Sequence, residues 1–595
     1  MTIRKKIELA KIEDSKDPKK DQVEFGFSIE NGRYAFTYTR GKKTETIEGS
    51  NFVMKSLFNL DNGTNDSKRI IQIQRYSGEN HIVEVNSSEM KPESFETILK
   101  SKRCTFLANY PEMKKIFAKM MDDEKEAFLI SEIGWNKEHQ VYVFADAIFS
   151  ENTILEIDEL GIITVKNHKY YLPTFGFANL NNEEFKTDQL YRFIPGTTTF
   201  KDWSKLYFQV FGANGLIGIL FLISTVFRDI IFDALGAFPF LFLFGDFGTG
   251  KTKFAEYLLS IFGKNIKGVD LTNATMISLS RTTQSKNNVL FYFKEYTSDI
   301  ESNIETFFLA AYDGVGRTTG VKSNDNRTKN ESVNSSLVCD GNSLPSGKAA
   351  VFSRMILLIF EKQNFSQEEE NLLFQLEKLS TDGLGNVLVE ILACRKIFAE
   401  NFKKVFVETT ERIRKRSEVL PSRLINSIAM IYSTYFCLSS NITFPFDNND
   451  VTTHIYKVAD YQNELLKQIS AVSIFWTAID FQIKRGLIQE FKPELKNKGA
   501  QYRLKVMTES EYILQIKLES VYTLYTRYCK EGNIRFLDQN SLKMLLTSTA
   551  NPTFIPSNQK HRGVYHFDKY FGSCHQFMLK KEGGIYKLGE IELSI

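Results

Sequence analysis

Apolar and polar residues follow different periods along the chain, and the changes of period divide it into five parts. Residues 1–22 are charged and lysine-rich, which predicts a flexible basic arm. Residues 23–200 alternate apolar and polar positions over short runs, which predicts a β-rich region of one or two modules. Residues 201–362 combine strongly apolar runs with a glycine-rich loop. Residues 363–505 have apolar side chains at helical spacing, and residues 506–595 combine two helical segments with a predicted β-hairpin at 553–567.

The clearest pattern lies in the third part, where a strand, a glycine-rich loop and a helix follow one another. Residues 238–244 form an unbroken apolar run, as expected of a strand that is buried on both faces. Residues 245–252 match the G-x-x-x-x-G-K-[ST] pattern of a phosphate-binding P-loop. Apolar residues at helical spacing follow and stop at Gly263. This order predicts a nucleoside triphosphate site with ATP and Mg²⁺ as cofactors.

The residue types of this loop suit triphosphate binding. Backbone amides of the turn would surround the phosphates, Lys251 would reach the β- and γ-phosphates, and the Thr252 hydroxyl would bind Mg²⁺. The alternative is a glycine-rich turn that binds no ligand. The predicted nucleotide-binding residues are Gly245, Asp246, Phe247, Gly248, Thr249, Gly250, Lys251 and Thr252.

Composition and charge limit the classes of protein to which this chain can belong. The 75 Lys and Arg residues against 72 Asp and Glu residues leave a net charge of +3, which excludes a bulk polycation but not local basic patches. The six cysteines are scattered without a Cys-x-x-Cys pair, so we expect no zinc, no disulfides and a reducing, cytoplasmic location. Arg228, Asp229 and Asp233 interrupt the apolar stretch 215–245, which favours a buried helix and a core strand over a membrane span.

Three polar residues beyond the P-loop are candidates for chemistry. Glu295 follows a strand-like apolar run and would activate water, and Asn342 follows the next such run and would orient that water. Arg354 precedes a third run and would stabilise transition-state charge on the nucleotide of a neighbouring subunit. With Lys251 these are the predicted catalytic residues. The plainer interpretations are an exposed carboxylate, a turn asparagine and a solvated charge at a strand end.

This ordered set resembles the AAA+ replicative helicases of superfamily 3 type, the clade with a pre-sensor-1 hairpin, and related helicases of phages and integrated mobile elements. The resemblance covers residues 133–360 and implies an α/β multidomain protein: a β-rich N-terminal region, a P-loop AAA+ core, a helical region and a C-terminal winged-helix-like module. It also implies a homo-oligomer, by family a hexamer. By the resemblance, Walker A comprises Gly245, Gly248, Gly250, Lys251 and Thr252, Glu295 belongs to Walker B, Asn342 is sensor 1, and Arg354 is the arginine finger.

One residue departs from the family pattern. An acid normally precedes the Walker B glutamate, whereas this chain has Lys294, whose ammonium cannot bind Mg²⁺ and would oppose it. We therefore expect an attenuated ATP hydrolase, with a catalytically dead copy as the alternative. Arg423, at the start of a predicted helix, is a further candidate, for sensor 2.

Basic residues between the Glu295 and Asn342 strands predict contact with DNA. Arg317, Lys322, Arg327 and Lys329 against Asp325 give 4 − 1 = +3 in a short glycine- and asparagine-rich segment. In the resembled family this segment is a hairpin that grips single-stranded DNA in a central pore, and such contact is electrostatic. A solvated surface loop is the alternative.

Two further basic clusters are weaker candidates. Lys543, Lys560 and Arg562 would touch duplex DNA if the C-terminal module is a winged helix. The basic run 412–416 is expected to decorate a solvated helix face.

The sequence therefore predicts a ring-forming, ATP-dependent DNA helicase or translocase that replicates a mobile element or phage-like replicon. One alternative is a nucleotide-gated DNA-binding or replication-initiation protein with weak or no ATPase. A second is a P-loop ATPase that remodels proteins, although the basic hairpin argues against it. A fused primase is disfavoured because residues 1–200 contain no Asp-x-Asp or His-x-Asp pair.

Overall fold

The computed structural model describes residues 9–63, 66–297, 302–320, 328–344, 349–362, 366–416, 420–495, 497, 499–531, 534, 536–548, 551, 553–557, 566–582, 585–588 and 591–593. The N-terminal region is β-rich, as the alternating pattern predicts. It forms a three-stranded sheet (β1-β2-β3), a six-stranded sheet (β12-β13-β7-β4-β5-β6) and most of a five-stranded sheet (β11-β10-β9-β8-β16). Its elements are α1 Pro18–Glu24, β1 Ser28–Glu30, β2 Arg33–Arg40, β3 Lys43–Glu48, β4 Phe52–Asp61, β5 Lys68–Arg75, β6 Asn80–Asn86, α2 Pro92–Ser101, α3 Tyr110–Asp122, β7 Lys125–Leu129, β8 Ile133–Asn136, β9 Val141–Val143, β10 Ala147–Ser150, β11 Thr153–Glu156, β12 Ile162–Val165 and β13 His168–Tyr171.

The predicted flexible arm is anchored where the structure describes it. Ile12 is buried in the N-terminal core, and its backbone N–H donates to the side chain of Gln74. The backbone N–H of Ser15 donates to the carbonyl of Ile29. One apolar side chain with a place in the core is enough to fix a segment that is otherwise charged.

The central part contains a five-stranded, fully parallel sheet in the order β15-β17-β20-β14-β21. Strand β14 is the apolar run before the P-loop, and its inner position explains its lack of polar residues. The short strand β16 pairs with β8 and joins this part to the N-terminal region. The elements are α4 Phe200–Val226, α5 Arg228–Leu235, β14 Phe240–Gly245, α6 Lys251–Leu259, β15 Val269–Asp270, α7 Met276–Gln284, β16 Lys286–Asn287, β17 Leu290–Tyr296, α8 Ser302–Tyr312, β18 Val315–Gly320, β19 Thr328–Ser332, β20 Ser336–Gly341, α9 Ala349–Phe352 and β21 Met355–Phe360.

Helix α4 is, by length and composition, the one described helix that could cross a membrane. It kinks at Gly212, which has a φ of 53°. From Gly215 to Val226 every residue is buried, in a core shared with the P-loop helix α6 and the helices that follow the sheet. The sequence prediction of a buried helix at this position is confirmed.

The helical region covers one side of the parallel sheet. Gln462 of its last helix ties it to β21, because the Gln462 side chain donates to the carbonyls of Phe352 and Met355 and accepts from the N–H of Leu357. The helices are α10 Gln367–Asp382, α11 Gly385–Ala393, α12 Arg395–Arg416, α13 Ser422–Leu438 and α14 Asn448–Lys484.

The C-terminal part is a seven-stranded sheet with two helices, and the sheet begins at Tyr502. The two predicted helices are present, whereas residues 558–565 of the predicted hairpin at 553–567 lie outside the described residues. Strands β24 and β25 each pair with the eleven-residue β26, because β26 is long enough to accept both. The elements are β22 Tyr502–Val506, β23 Glu511–Ile516, α15 Leu518–Glu531, α16 Gln539–Leu546, β24 Phe554–Ile555, β25 His566–Asp568, β26 Gly572–Glu582, β27 Ile585–Leu588 and β28 Ile591–Leu593.

Candidate nucleotide site

The P-loop lies between β14 and α6, at the carboxyl edge of the parallel sheet. Gly248 and Gly250 have φ angles of 79° and 91°, which a residue with a side chain adopts only at a cost. Gly250 is the N-cap of α6, so Lys251 and Thr252 open that helix. A loop that ends at a helix N-terminus presents backbone N–H groups and the positive end of the helix dipole to an anion.

Position 245 requires a glycine because the neighbouring strand β21 leaves no room for a side chain, not because of its own backbone angles. Gly245 is the last residue of β14 and pairs with Phe360, the last residue of β21. A Cβ atom at Gly245 would lie 2.1 Å from the Phe360 carbonyl oxygen, well inside van der Waals contact. The close approach of β21 therefore fixes the first glycine of the motif.

The loop opens onto a cavity of about 340 Å³. The strand ends of β17 and β20 form its other wall, as expected at the carboxyl edge of a parallel sheet. The structure therefore brings the predicted loop residues together with Glu295 and Asn342. The lining residues are Phe247, Gly248, Thr249, Gly250, Lys251, Thr252, Lys253, Glu295, Asp340, Gly341 and Asn342.

The Lys251 side chain folds back over its own loop. It donates to the carbonyls of Gly245 and Asp246, both at 2.7 Å. Partial burial lowers the pKa of Lys251, and the nearby carboxylates of Asp340, Glu295 and Asp246 oppose that shift. These carboxylates therefore act electrostatically on the residue expected to hold the β- and γ-phosphates.

Glu295 occupies an unusual backbone conformation at the end of β17. Its φ is 61°, in the left-handed region that costs a residue with a Cβ about 1 kcal/mol or more. The pairing of β17 with β20 shifts register between Phe293 and Tyr296, which is the signature of a bulge. The bulge turns the Glu295 side chain to the surface of the cavity, where it is exposed.

Lys294, the other residue of this bulge, does not line the cavity. Its ammonium lies 3.6 Å from the carboxylate of Glu256 on α6 and 5.5 Å from the Tyr292 ring centroid. The expectation that Lys294 opposes a bound cation assumed that it points into the site. The structure instead directs its charge towards Glu256.

Asp340 is the residue of this site that sequence reasoning missed. It belongs to β20, is buried to 4% exposure and lies at the wall of the cavity. Its carboxylate accepts a 2.9 Å bond from the backbone N–H of Glu295 and a 2.7 Å bond from the Tyr292 hydroxyl. The signal in the sequence is a carboxylate directly after the apolar residues 337–339, two residues before Asn342.

Arg354 lies far from the cavity of its own chain. It precedes β21, whereas the P-loop follows β14, and the two strands run parallel. The Arg354 side chain is 13% exposed, and its guanidinium donates to the carbonyl of Ala350 and lies 4.0 Å from the carboxylate of Asp313. Six residues of β21 separate Arg354 from the cavity edge, which at about 3.3 Å per residue is roughly 20 Å.

Arg423 lies beside Arg354, at the edge of the parallel sheet opposite the cavity. It is exposed, and its guanidinium donates to the Ser353 hydroxyl at 3.4 Å. Burial is the main cause of a lowered pKa at Arg354, and the positive charge of Arg423 adds to it. The structure therefore does not bring Arg423 to the cavity of its own chain, where a sensor-2 arginine would lie.

The basic segment between β17 and β20 contains an antiparallel pair, β18 and β19. A backbone hydrogen bond from Val333 to Gly314 closes its base, next to the start of β20 and therefore at the edge opposite the cavity. Arg317 lies in β18 and Lys329 in β19, while Lys322 and Arg327 fall outside the described residues, as do Lys560 and Arg562.

Comparison with solved structures gives one similarity over almost the whole chain. It is to a protein titled "SCCmec type IV Cch - active helicase", with a TM-score of 0.51, 13% identity, and coverage of 93% of this chain and 97% of that one. A JCV helicase with a bound small molecule matches at a TM-score of 0.23 and 14% identity over 41% of this chain and 69% of that one. The apo C-terminal region of NrS-1 matches at 0.23 and 10% over 70% and 87%. The first comparison shows a shared overall fold.

Comparison with family models defines the family. No curated protein matches the sequence. A family model described as a domain of unknown function, DUF927, matches residues 28–331, which is more than half of the 595 residues. The match runs from the first strand through the P-loop and Glu295 to the end of the β18–β19 pair. The chain is therefore a member of the DUF927 family.

Proposed function

We propose that this protein is an ATP-dependent DNA helicase or translocase that works as a ring of identical subunits in the replication of a mobile element. The observation that carries the proposal is the cavity in which the P-loop, Glu295 and Asn342 converge at the carboxyl edge of a parallel sheet. The fold shared with a protein titled an active helicase supports the choice among P-loop functions.

The cavity has the groups that ATP hydrolysis needs from one subunit. Lys251 and the amides of the loop bind the phosphates, and Glu295 accepts a proton from the attacking water. Asn342 orients that water from the neighbouring strand. Thr252 would contribute its hydroxyl to Mg²⁺, which would supply positive charge to the phosphate oxygens.

The arginine that would stabilise transition-state charge at this site comes from a second subunit. Arg354 cannot reach the nucleotide of its own chain across about 20 Å of sheet, but an edge of the sheet is where a neighbour can dock. A head-to-tail ring places the Arg354 edge of one copy against the cavity of the next. Arg423, adjacent and exposed, adds a second positive charge to that edge.

The β18–β19 pair is the proposed contact with DNA. Its segment carries a net charge of +3 and leaves the sheet where β20 begins, so a movement of β20 at the nucleotide is transmitted to its base. Positive charge binds the phosphates of single-stranded DNA with little sequence preference.

The proposal is tested by steady-state ATP hydrolysis with and without single-stranded DNA. We expect wild type to hydrolyse ATP, DNA to stimulate it, and Lys251→Ala to lose the activity. ATP hydrolysis that DNA does not stimulate would favour a protein-remodelling ATPase. DNA binding without hydrolysis would favour an initiation protein.

The hairpin is tested by the salt dependence of DNA affinity. Replacing Arg317 and Lys329 by alanine is expected to weaken binding and to lower the slope of log affinity against log salt by about 1.4, or about 0.7 for each lost phosphate contact. The matched control replaces Arg412 and Lys415, two exposed charges on α12, and should leave the slope unchanged. Equal slopes in both variants would remove the hairpin from the proposal.

A further inference from the structure

The position that would normally bind the metal ion carries a lysine in this chain. P-loop NTPases hold Mg²⁺ between the P-loop Ser or Thr and an acidic residue at the end of the neighbouring strand. Here Thr252 is present, but the residue before Glu295 is Lys294, and its ammonium faces Glu256 outside the cavity. Either this site holds Mg²⁺ without that acid, or another strand supplies one.

The register between β17 and β20 brings a different carboxylate to the same place. Phe293 pairs with Cys339 and Tyr296 with Gly341, so the two residues Lys294 and Glu295 lie opposite the single residue Asp340. The N–H of Glu295 donates to Oδ1 of Asp340, which stabilises the bulge.

A hydrogen bond holds the Asp340 carboxylate in place near the expected metal ligand Thr252. The Tyr292 hydroxyl donates to Oδ2 of Asp340 at 2.7 Å. The hydroxyl oxygen of Thr252, at the same cavity, has lone pairs that can bind a cation.

The donor set fits Mg²⁺. Each Asp340 oxygen accepts one of these hydrogen bonds and has a second lone pair, and Asp340 and Thr252 line the same cavity. Among the residues described, no group of three or more His, Cys, Asp or Glu side chains can hold a metal ion alone. Mg²⁺ suits such a site, because it is usually bound by one or two carboxylates together with phosphate oxygens and water.

We propose that Asp340, on the strand next to the Walker B strand, is the Mg²⁺-binding carboxylate of this site in place of the acid that is absent at position 294. The inference rests on the proposed nucleotide-hydrolysing function and names the residue that holds its metal ion. It also explains how a chain with Lys294 can retain a metal-dependent nucleotide site.

The test measures nucleotide binding, not turnover, at a series of Mg²⁺ concentrations. A fluorescent ADP analogue reports affinity with Mg²⁺ and with EDTA, and electron paramagnetic resonance of Mn²⁺ counts the bound ion. For Asp340→Asn we expect affinity in EDTA to change little and the enhancement by Mg²⁺ to fall at least about tenfold. Unchanged Mg²⁺ enhancement, or an equal loss of affinity in EDTA, would overturn the inference.

Two further variants separate metal binding from support of the bulge. Tyr292→Phe removes one hydrogen bond to Asp340 but keeps the carboxylate, so Mg²⁺ enhancement should largely remain. The double variant Lys294→Asp with Asp340→Asn should not recover the Mg²⁺ response, because position 294 faces Glu256 outside the cavity. If Tyr292→Phe loses as much as Asp340→Asn, the role of Asp340 is structural.

A variant with a thiol keeps the test decisive if Asp340→Asn is poorly folded. Asp340→Cys should lose the response to Mg²⁺ and gain one to Cd²⁺, because a thiolate prefers the softer ion. The six native cysteines are buried, so wild type is the background control. No Cd²⁺ response in a folded Asp340→Cys protein contradicts the inference. Wild type that binds no nucleotide would instead contradict the proposed function itself.

Discussion

Mixing two inactive variants tests whether neighbouring subunits share one nucleotide site. Lys251→Ala removes the phosphate-binding ammonium from the cavity, and Arg354→Ala removes a guanidinium from the opposite edge of the sheet. The structure separates these two positions by the length of β21, roughly 20 Å, so one chain cannot supply both groups to one nucleotide. Each variant alone should therefore have no complete site.

The expected recovery follows from counting interfaces in a ring. In a ring assembled from equal amounts of the two variants, about a quarter of the head-to-tail interfaces combine an intact Lys251 with an intact Arg354. An arginine finger is worth about 10³–10⁵ in turnover, so the other interfaces contribute almost nothing. The mixture should thus regain up to about a quarter of wild-type turnover if the interfaces act independently.

The assay uses co-expression with two different affinity tags, tandem purification of mixed rings, and steady-state ATP hydrolysis with single-stranded DNA present. The matched control co-expresses two tagged copies of Lys251→Ala, which should stay inactive. Thermal unfolding of each variant shows that the folded state is retained. If mixed rings are no more active than either parent, Arg354 does not act across the interface.

Three other substitutions or conditions should give distinct responses. Gly245→Ala brings a Cβ atom within 2.1 Å of the Phe360 carbonyl, so we expect a loss of about 1–3 kcal/mol in stability and weaker nucleotide binding, measured by thermal unfolding and fluorescence titration. Lys294→Gln should change turnover by no more than about twofold, because this lysine faces Glu256; a large increase would show that its charge reaches the cavity. Burial lowers the pKa of His575 to about 4 against about 6.5 when unfolded, so the unfolded chain binds the extra proton in between. Stability of the C-terminal part should therefore fall by about 2 kcal/mol from pH 7 to pH 5, and His575→Gln should remove this slope in denaturant unfolding.

The parts of the site that are contiguous in sequence could be predicted from it. Strand, loop and helix occupy adjacent residues, so local patterns were sufficient to place the P-loop and the strand ends at Glu295 and Asn342. The buried half of α4 could also be predicted, because charged residues interrupt the apolar run that follows it.

Features that depend on pairing between distant strands could not be predicted. The position of Asp340 opposite Glu295 and the direction of Lys294 both follow from a bulge, and a shift of one residue reverses the face on which a side chain lies. The contact of Arg423 with Ser353 joins residues 70 positions apart. The pairing of β24 and β25 with β26 could not be predicted for the same reason, since β26 begins only at Gly572, beyond the predicted hairpin at 553–567.

Strand displacement on a tailed DNA duplex measures whether nucleotide hydrolysis at this cavity drives movement along DNA. A quenched fluorophore pair on the duplex reports separation as it occurs, and ADP and Lys251→Ala are the controls. We expect displacement by wild type that requires ATP and is absent in Lys251→Ala. Wild-type protein that hydrolyses ATP and binds the tailed duplex but never separates its strands would contradict it, as would separation that proceeds equally well with ADP.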